Sequence, residues 1–352
     1  MSEFRVNSIT NQDGSAGPQV CGVSTFSGKS GVQIPSGSSD FRRLDGSGRG
    51  RGIIAGGRNH PVAYKSIDTI EISTTGNATD FGDLTTENTG GAGGSSSTTR
   101  GFIIGGYDPS PADHQTEMQF IVFASQGGAN IFGDLRSKNT AIAQASNNVR
   151  GILYGGNDPS YIADIFQFNL QSLGAETDFG KVFEGVPIRN AIAAASPTRI
   201  VFAGGQTDDG SSNIIAFREI ASGGIVSKFG ELTYGADGHG GTSSSTRAIF
   251  VGGKAAPTTT TNMNFITIAS QGDAQDFGDL TQKRRNITSN SSNIRATFAG
   301  GTTSSSGTGN NKNQIDYVTT STTGNAVDFG DLQHQKRLSN MGSSDSHGGL
   351  IQ

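Results

Sequence analysis

The chain has 352 residues and a formal net charge of −4, and 53 of the residues are glycine, about twice the usual share of ~7%. The hydrophobic fraction of 32%, taken together with glycine, is typical of a globular protein and argues against disorder, while nine prolines are too few for a collagen helix. The lone cysteine, Cys21, excludes intrachain disulfides and multi-cysteine metal sites. The charge balance gives no global attraction to nucleic acid or to anionic membranes.

The N-terminal residues show no targeting signal. Residues 1–10 lack a basic stretch followed by an apolar run, and no segment approaches the ~18 apolar residues that span a bilayer. We therefore expect no signal peptide and no membrane insertion, and we expect the protein to be synthesised and folded in a cytoplasm.

A short β-type run that ends in Gly-Gly recurs six times, and the first glycines of successive copies lie 48 to 50 positions apart. An arginine precedes the first glycine of each pair by five positions, at Arg51, Arg100, Arg150, Arg199, Arg247 and Arg295. This regularity predicts a repeated strand that opens with arginine and ends in a glycine turn.

A second motif, Phe-Gly-acidic-Leu, alternates with the first. Its copies begin at Phe81, Phe132, Phe229, Phe277 and Phe329, with a variant at Phe179 and a degenerate copy at Phe41. Another β-rich run separates the two motifs, and small residues such as 191–195 precede the arginine-led strand. Four strands repeating every ~40–50 residues predict an all-β fold, a β-propeller of four-stranded blades with a small-residue inner strand.

The two ends of the chain bear on the number of blades. Residues 341–344 resemble an inner strand, residues 347–352 resemble an arginine-type strand that lacks its Gly-Gly, and residues 41–44 resemble an outer strand. Joined together, they predict a seventh blade shared between the N- and C-termini, which would remove an open sheet edge. Six blades, with an irregular cap, is the alternative. We assign the propeller to residues 38–352 and a Gly/Ser/Thr-rich arm or attachment segment to residues 1–37. The alternative for residues 1–37 is that one short strand completes the shared blade and the rest is coil.

The repeat resembles the kelch repeat over residues 38–352. The shared features are the aliphatic strand closed by Gly-Gly, the middle strand, an aromatic residue about 24 positions before the next Gly-Gly, and a basic residue opening the inner strand, as at Lys138, Arg189 and Arg285. Phenylalanine stands where kelch repeats usually carry tryptophan, so the chain looks like a divergent relative. Residues 1–37 are similar to the N-terminal segments of virion proteins of phages that infect cyanobacteria. The sequence pattern of residues 74–85 is similar to propeller proteins of the same phages.

The residues that carry enzyme chemistry form no pattern. The five histidines occupy non-equivalent positions, and none adjoins a Gly-x-Ser-x-Gly motif or has metal-ligand spacing. Cys21 lies outside the propeller, which excludes a copper-radical oxidase of the kelch type, and Asp-box repeats of sialidases are missing. Acidic groups after Gly-Gly, such as Asp108 and Asp208, are interpreted as turn formers rather than calcium ligands. We expect no enzyme activity, no cofactor and no metal.

Two sets of basic residues are candidates for binding. The six repeated arginines could grip an anion, but we favour a structural pairing with the acids of the Phe-Gly motif. The segments after the outer strands are basic and should share one rim, a possible site for an acidic protein surface or an anionic polysaccharide. That rim comprises Arg42, Arg43, Arg136, Lys138, Lys283, Arg284, Arg285, Lys336 and Arg337. Without interleaved aromatics, nucleic acid is not expected to bind there.

These patterns together favour a non-enzymatic structural or adaptor protein of a phage virion, as a tail, fibre or decoration component. Its partners would be other virion proteins, reached through residues 1–37. The alternative is a receptor-binding propeller that recognises a host-surface glycan, although a chain with no Trp and six Tyr is poorly equipped for it. A cellular kelch-type scaffold is a third possibility.

Overall fold

The computed structural model describes residues 50–90, 93–109, 112–222, 225–305, 309–336 and 342–350. Within these ranges the chain forms six four-stranded antiparallel sheets and one short 3-10 helix, Phe183–Gly185. Each sheet is one blade of a β-propeller, and the blades are numbered here in chain order. The attachment segment predicted at residues 1–37 and the outer-strand motif at 41–44 lie outside the described residues.

The strands of each blade run from the axis outwards in the order inner, second, third and outer. Blade 1 comprises Gly342–Ser344, Arg51–Ala55, Ser66–Glu71 and Thr79–Asp83, and blade 2 comprises Gly93–Ser96, Arg100–Ile104, Glu117–Val122 and Asn130–Asp134. Blade 3 comprises Ala143–Ser146, Arg150–Tyr154, Asp164–Asn169 and Thr177–Lys181, and blade 4 comprises Ile192–Ala195, Arg199–Ala203, Ile214–Glu219 and Ser227–Glu231. Blade 5 comprises Gly240–Ser243, Arg247–Val251, Asn262–Thr267 and Gln275–Asp279, and blade 6 comprises Thr288–Ser291, Arg295–Ala299, Gln314–Thr319 and Val327–Asp331.

Short hairpins connect the second and third strands in four of the blades. They pair Arg58–Asn59 with Val62–Ala63, Tyr107–Asp108 with Asp113–His114, Gln206–Thr207 with Gly210–Ser211, and Lys254–Ala255 with Thr258–Thr259. Isolated bridges occupy the same place in the other two, from Asn157 to Tyr161 in blade 3 and from Thr302 to Asn311 in blade 6.

The ring has six blades, so the alternative count is confirmed and the seven-bladed expectation is wrong. Gly342–Ser344 pairs with Arg51–Ala55, with Gly52 opposite Ser344, and so supplies the inner strand of blade 1. The six inner strands contact one another in a closed cycle, which leaves no place for a further blade. The C-terminal strand therefore does not begin a seventh blade, because it is the inner strand of blade 1. Residues 347–350, expected to form an arginine-type strand, instead make a turn.

The Gly-Gly pairs end the second strands and join neighbouring blades. In blade 2, the Gly105 amide donates to the carbonyl oxygen of Glu117 at 2.9 Å, and the Gly106 amide donates to that of Asn139 at 2.8 Å. Gly105 has a φ of +66°, and a Cβ there would lie 2.4 Å from the Asn139 oxygen. Only glycine combines this left-handed backbone with so close an approach.

The Phe-Gly motif receives a loop of the next blade. Gly127 and Ala129 of blade 2 donate backbone hydrogen bonds to Phe81 and Asp83 of blade 1, at 2.9 and 2.8 Å. The Phe81 side chain is buried in the same core cluster as Ile121 of blade 2. The apolar core therefore lies between blades, and each blade is held to the next one.

The repeated arginines also link blades, but through backbone carbonyl groups rather than the expected acids. Arg150 Nη1 donates to the oxygen of Ile220 in blade 4 at 2.7 Å, and Arg295 Nη1 donates to that of Ile72 in blade 1 at 3.0 Å. Equivalent bonds run from Arg51 to Phe123, from Arg199 to Ile268 and from Arg247 to Thr320. Each bond satisfies a carbonyl group just beyond a third strand, which is why arginine recurs at this position.

Candidate binding site between blades 3 and 4

The axis of the propeller is closed by hydroxyl groups. The last residue of the inner strand is serine in five blades, and its Oγ donates to the carbonyl oxygen of the equivalent residue in the preceding blade, at 2.7 or 2.8 Å. These serines are Ser96, Ser146, Ser243, Ser291 and Ser344, and Ala195 is the sixth member. The cavity that remains between the inner strands has a volume of about 50 Å³. The predicted small inner strand is confirmed, because larger side chains could not enter this ring.

The residues after the last inner strand lie across the serine ring. Asp345 Oδ1 accepts from the Arg51 amide at 2.9 Å, Ser346 Oγ donates to Ser291 at 3.3 Å, and the Gly348 amide donates to Ser243 at 2.9 Å. His347 Nε2 lies 3.3 Å from the Ser96 oxygen, and burial lowers the pKa of its imidazole to about 4. This C-terminal segment therefore fills the axial position, and the space for a ligand there is small.

The predicted basic rim is divided by the structure. Arg42, Arg43 and Arg337 lie outside the described residues, whereas Arg136 and Lys283 are exposed. Lys138 forms an ion pair with Asp113, and Arg285 Nη1 lies 3.5 Å from Asp237 Oδ1. Arg284 and Lys336 are completely buried, so these two residues do not belong to an exposed rim. Whether the remaining residues bind a partner stays a prediction.

The two buried cations form ion pairs across blade junctions. Arg284 Nη2 lies 2.6 Å from Asp316 Oδ2, and Lys336 Nζ lies 3.0 Å from Asp68 Oδ2. Burial lowers the pKa of Lys336, and the charge of Asp68 acts in the opposite direction. Buried charges are tolerated when they are paired in this way. Both cations precede an inner strand in the chain, where an exposed loop is the simpler expectation from sequence.

The acids of these pairs occupy one equivalent position, the third residue of the third strand. The series through the six blades is Asp68, Gln119, Phe166, Ala216, Asn264 and Asp316. The polar members bind the linker that follows the preceding outer strand: Thr85 N donates to Gln119 Oε1 at 3.0 Å, and Thr233 Oγ1 donates to Asn264 Oδ1 at 2.8 Å. This position therefore joins one blade to the next, and alanine in blade 4 is the smallest residue of the series.

The linker that faces Ala216 is also longer than its counterparts. Leu84 to Asn88 spans four positions, as do the equivalent pairs in four other blades, whereas Val182 to Ile188 spans six. The extra residues form the 3-10 turn Phe183–Gly185 and leave Val186 42% exposed. Glu184 in this turn has a φ of +53°, a left-handed conformation that is uncommon outside glycine.

A pocket of about 290 Å³ lies between this longer linker and Ala216. Tyr154 and Phe202 are stacked at a centroid distance of 4.0 Å, and the Phe183 amide donates to the Tyr154 hydroxyl at 3.2 Å. Burial raises the pKa of Tyr154 to about 12, so its hydroxyl stays neutral. The lining is completed by two apolar residues, Ile188 and Ile214, beside the exposed Val186. The interior is therefore aromatic and aliphatic.

The same pocket has a polar opening. Glu184 and Asp209 belong to its lining and are exposed, and Thr207, Ser211 and Ser212 add hydroxyl groups from the blade 4 hairpin. An apolar interior with a few polar groups is typical of ligand-binding pockets. The sequence signals for this pocket are Ala216, at a position that is polar in four of the other blades, and the two extra positions before Ile188. Both signals can be recognised only when the blades are aligned.

Comparison with known proteins does not name a family. No protein-family model matches the chain, and no curated protein matches its sequence. Within the described ranges, no three His, Cys, Asp or Glu side chains are grouped so that they could hold a metal ion. No helix in the part of the chain that the structure describes is long and apolar enough to span a membrane. The expectation of no enzyme activity stays a prediction.

Proposed function

We propose that this protein is a non-catalytic adaptor of a phage particle, with a propeller that attaches to other proteins. The observation that carries the protein-binding part is the pocket between blades 3 and 4. At this junction the third residue of the third strand is alanine, whereas the other five blades carry a polar side chain or the bulky Phe166. An exposed apolar residue of the pocket lining supports it, since Val186 is 42% exposed. Exposed apolar side chains beside a formed pocket are common at protein interfaces.

The particle itself is proposed on the similarity of residues 1–37 and 74–85 to virion proteins of cyanobacterial phages. On this proposal the repeat is a divergent kelch-type repeat and residues 1–37 attach the protein to its neighbours. The mature protein would be found in the virion after synthesis in the host cytoplasm. Glycan recognition commonly uses exposed aromatic side chains. Among the described residues no Tyr or Phe side chain is exposed, so no observation favours a glycan ligand.

Mass spectrometry of purified particles tests the proposed location. The protein should co-purify with the particles through density-gradient centrifugation, at a constant ratio to the major capsid protein. A variant that lacks residues 1–37 should retain the melting temperature of the propeller and be lost from the particles. If the full-length protein is absent from purified particles, the adaptor proposal is wrong. If the truncated variant is incorporated equally well, attachment through residues 1–37 is wrong.

A further inference from the structure

The pocket between blades 3 and 4 results from two departures from the repeat that occur at the same blade junction. The equivalent position is filled by Asp68, Gln119, Asn264 or Asp316 at four of the other junctions, and by Phe166 at the fifth. Only the junction with Ala216 combines a small residue with a longer linker. A ligand that covers the apolar walls of this pocket removes apolar surface from water, which favours an apolar occupant.

The shape of the pocket defines the apolar part of that occupant. Tyr154 and Phe202 present stacked rings, and Ile188, Ile214 and Ala216 provide aliphatic walls. With a volume of about 290 Å³, the pocket accommodates a group of the size of one aromatic or branched aliphatic side chain. It is at the lower end of the ~300–1,000 Å³ of small-molecule pockets, so it fits an anchor residue better than a large cofactor.

The charges at the opening define the polar part. Glu184 and Asp209 are exposed carboxylates of the pocket lining, and the left-handed backbone of Glu184 holds the first of them at the edge. Lys228 experiences the charge of Glu184, but its Nζ is bonded to Glu231 Oε1 at 2.6 Å. A cation brought by a ligand would therefore meet two carboxylates beside an apolar cavity.

We propose that this pocket binds an aromatic or branched aliphatic side chain of a partner polypeptide that carries lysine or arginine next to that side chain. The choice of a polypeptide rests on the proposed adaptor function, whereas the chemistry of the occupant follows from the pocket alone. The buried side chain supplies the apolar contact, and the basic neighbour pairs with Glu184 and Asp209. Anchors of this kind dominate the affinity of protein interfaces.

Calorimetric titration of the full chain with short peptides tests the inference. The probe is acetyl-Gly-Lys-Phe-Lys-Gly-amide, and the comparison peptide has glutamate in place of both lysines. Phenethylamine distinguishes a free aromatic amine from a peptide. We expect saturable binding of the lysine peptide and binding roughly tenfold or more weaker for the other two ligands, a ratio that corresponds to a single good contact.

Two variants separate the parts of the site. Ala216→Phe introduces the residue that blade 3 has at this position. It should fill the cavity, raise the melting temperature and weaken binding of the lysine peptide roughly tenfold or more. The double variant Glu184→Gln with Asp209→Asn changes only exposed groups and should weaken binding of the lysine peptide by a similar factor. The matched control is Asp80→Asn with Asp276→Asn, which removes two exposed carboxylates from outer strands and should leave binding unchanged.

The inference is overturned if the lysine peptide does not bind, if the glutamate peptide or phenethylamine binds equally well, or if both pocket variants retain full affinity. Incorporation of the wild-type protein into particles is scored separately. Peptide binding without incorporation contradicts the adaptor function and leaves the pocket chemistry standing, whereas incorporation without peptide binding contradicts only the pocket.

Discussion

Ser344 Oγ donates a hydrogen bond to the carbonyl oxygen of Ser291 at 2.7 Å. This contact joins the C-terminal inner strand of blade 1 to the inner strand of blade 6, and it completes one side of the serine ring around the axis. Because the ring repeats once per blade, the position that lacks a hydroxyl, Ala195, provides a direct measure of what each link contributes.

Ala195→Ser should stabilise the protein by about 1 kcal/mol, the usual net value of an added hydrogen bond. The new hydroxyl would donate to the carbonyl oxygen of Ser146, as its equivalents do in other blades. Urea unfolding measures the change. The control is Ala194→Ser, which introduces a hydroxyl into the buried apolar cluster around Val201 and should be destabilising. Equal effects of the two substitutions would contradict the hydrogen-bonded ring.

Lys336→Met should destabilise the fold by about 3–5 kcal/mol, because it leaves the buried carboxylate of Asp68 unpaired at the junction of blades 6 and 1. Replacing both residues, Lys336→Met with Asp68→Leu, should recover most of that loss, since a buried pair and an apolar pair are often equivalent. A double-mutant cycle in urea gives both values. If the two single losses simply add, the residues are not coupled as the structure shows.

Gly82→Ala should cost more than Gly76→Ala, although both glycines have a positive φ, +150° and +158°. A Cβ on Gly82 would lie 2.3 Å from the backbone oxygen of Gly127 in the next blade, whereas a Cβ on Gly76 would have nothing within 4 Å. We expect a difference of about 1–3 kcal/mol, the range for overpacking. Equal losses would show that the loop of blade 2 does not dock on the outer strand of blade 1.

The stability of the protein should fall on acidification below pH 6.5, in part because of His347. Burial lowers the pKa of this imidazole from 6.5 to about 4, so the folded state resists a proton that the unfolded state takes up. Neutral His347 makes its full contribution to stability above pH 6.5, and this contribution is lost as the pH falls from 6.5 towards 4. The total loss is roughly 3 kcal/mol. His347→Asn, which retains an acceptor for the Gly349 amide, should flatten this dependence.

The control for the acid titration is Thr75→Asn, because Thr75 is exposed and has no titratable group. Its substitution should leave the slope between pH 7 and 4 unchanged. His239 is also buried with a pKa of about 4, so the His347 variant should keep part of the slope. A wild-type slope in His347→Asn would contradict the buried position of this side chain at the axis.

Local sequence patterns predict the blades well because the constraints on them are local. Gly-Gly and Phe-Gly mark places where a neighbouring backbone approaches within the volume of a Cβ, and small inner strands follow from crowding at the axis. The number of blades is less accessible, since an isolated strand such as Gly342–Ser344 can be assigned to a new blade or to the first one. Only its pairing with Arg51–Ala55 decides between them.

The buried ion pairs and the pocket are harder to predict because both depend on contacts between different blades. Arg284 and Lys336 look like surface cations in the sequence, yet their acids follow 32 residues later in one case and precede by most of the chain in the other. Ala216 is unremarkable by itself and becomes informative only beside the residues that occupy its position in other blades. Repeat proteins reveal such sites through the one repeat that departs from the rest.

A reconstruction of the assembled phage particle that resolves side chains tests the central claim most directly. We expect a six-bladed ring closed by Gly342–Ser344, with a side chain of a neighbouring protein in the pocket formed by Tyr154, Phe202 and Ala216, and a basic residue beside Glu184. A propeller that contacts its neighbours only elsewhere, with this pocket open to solvent, or a particle that lacks the protein altogether, would contradict the account.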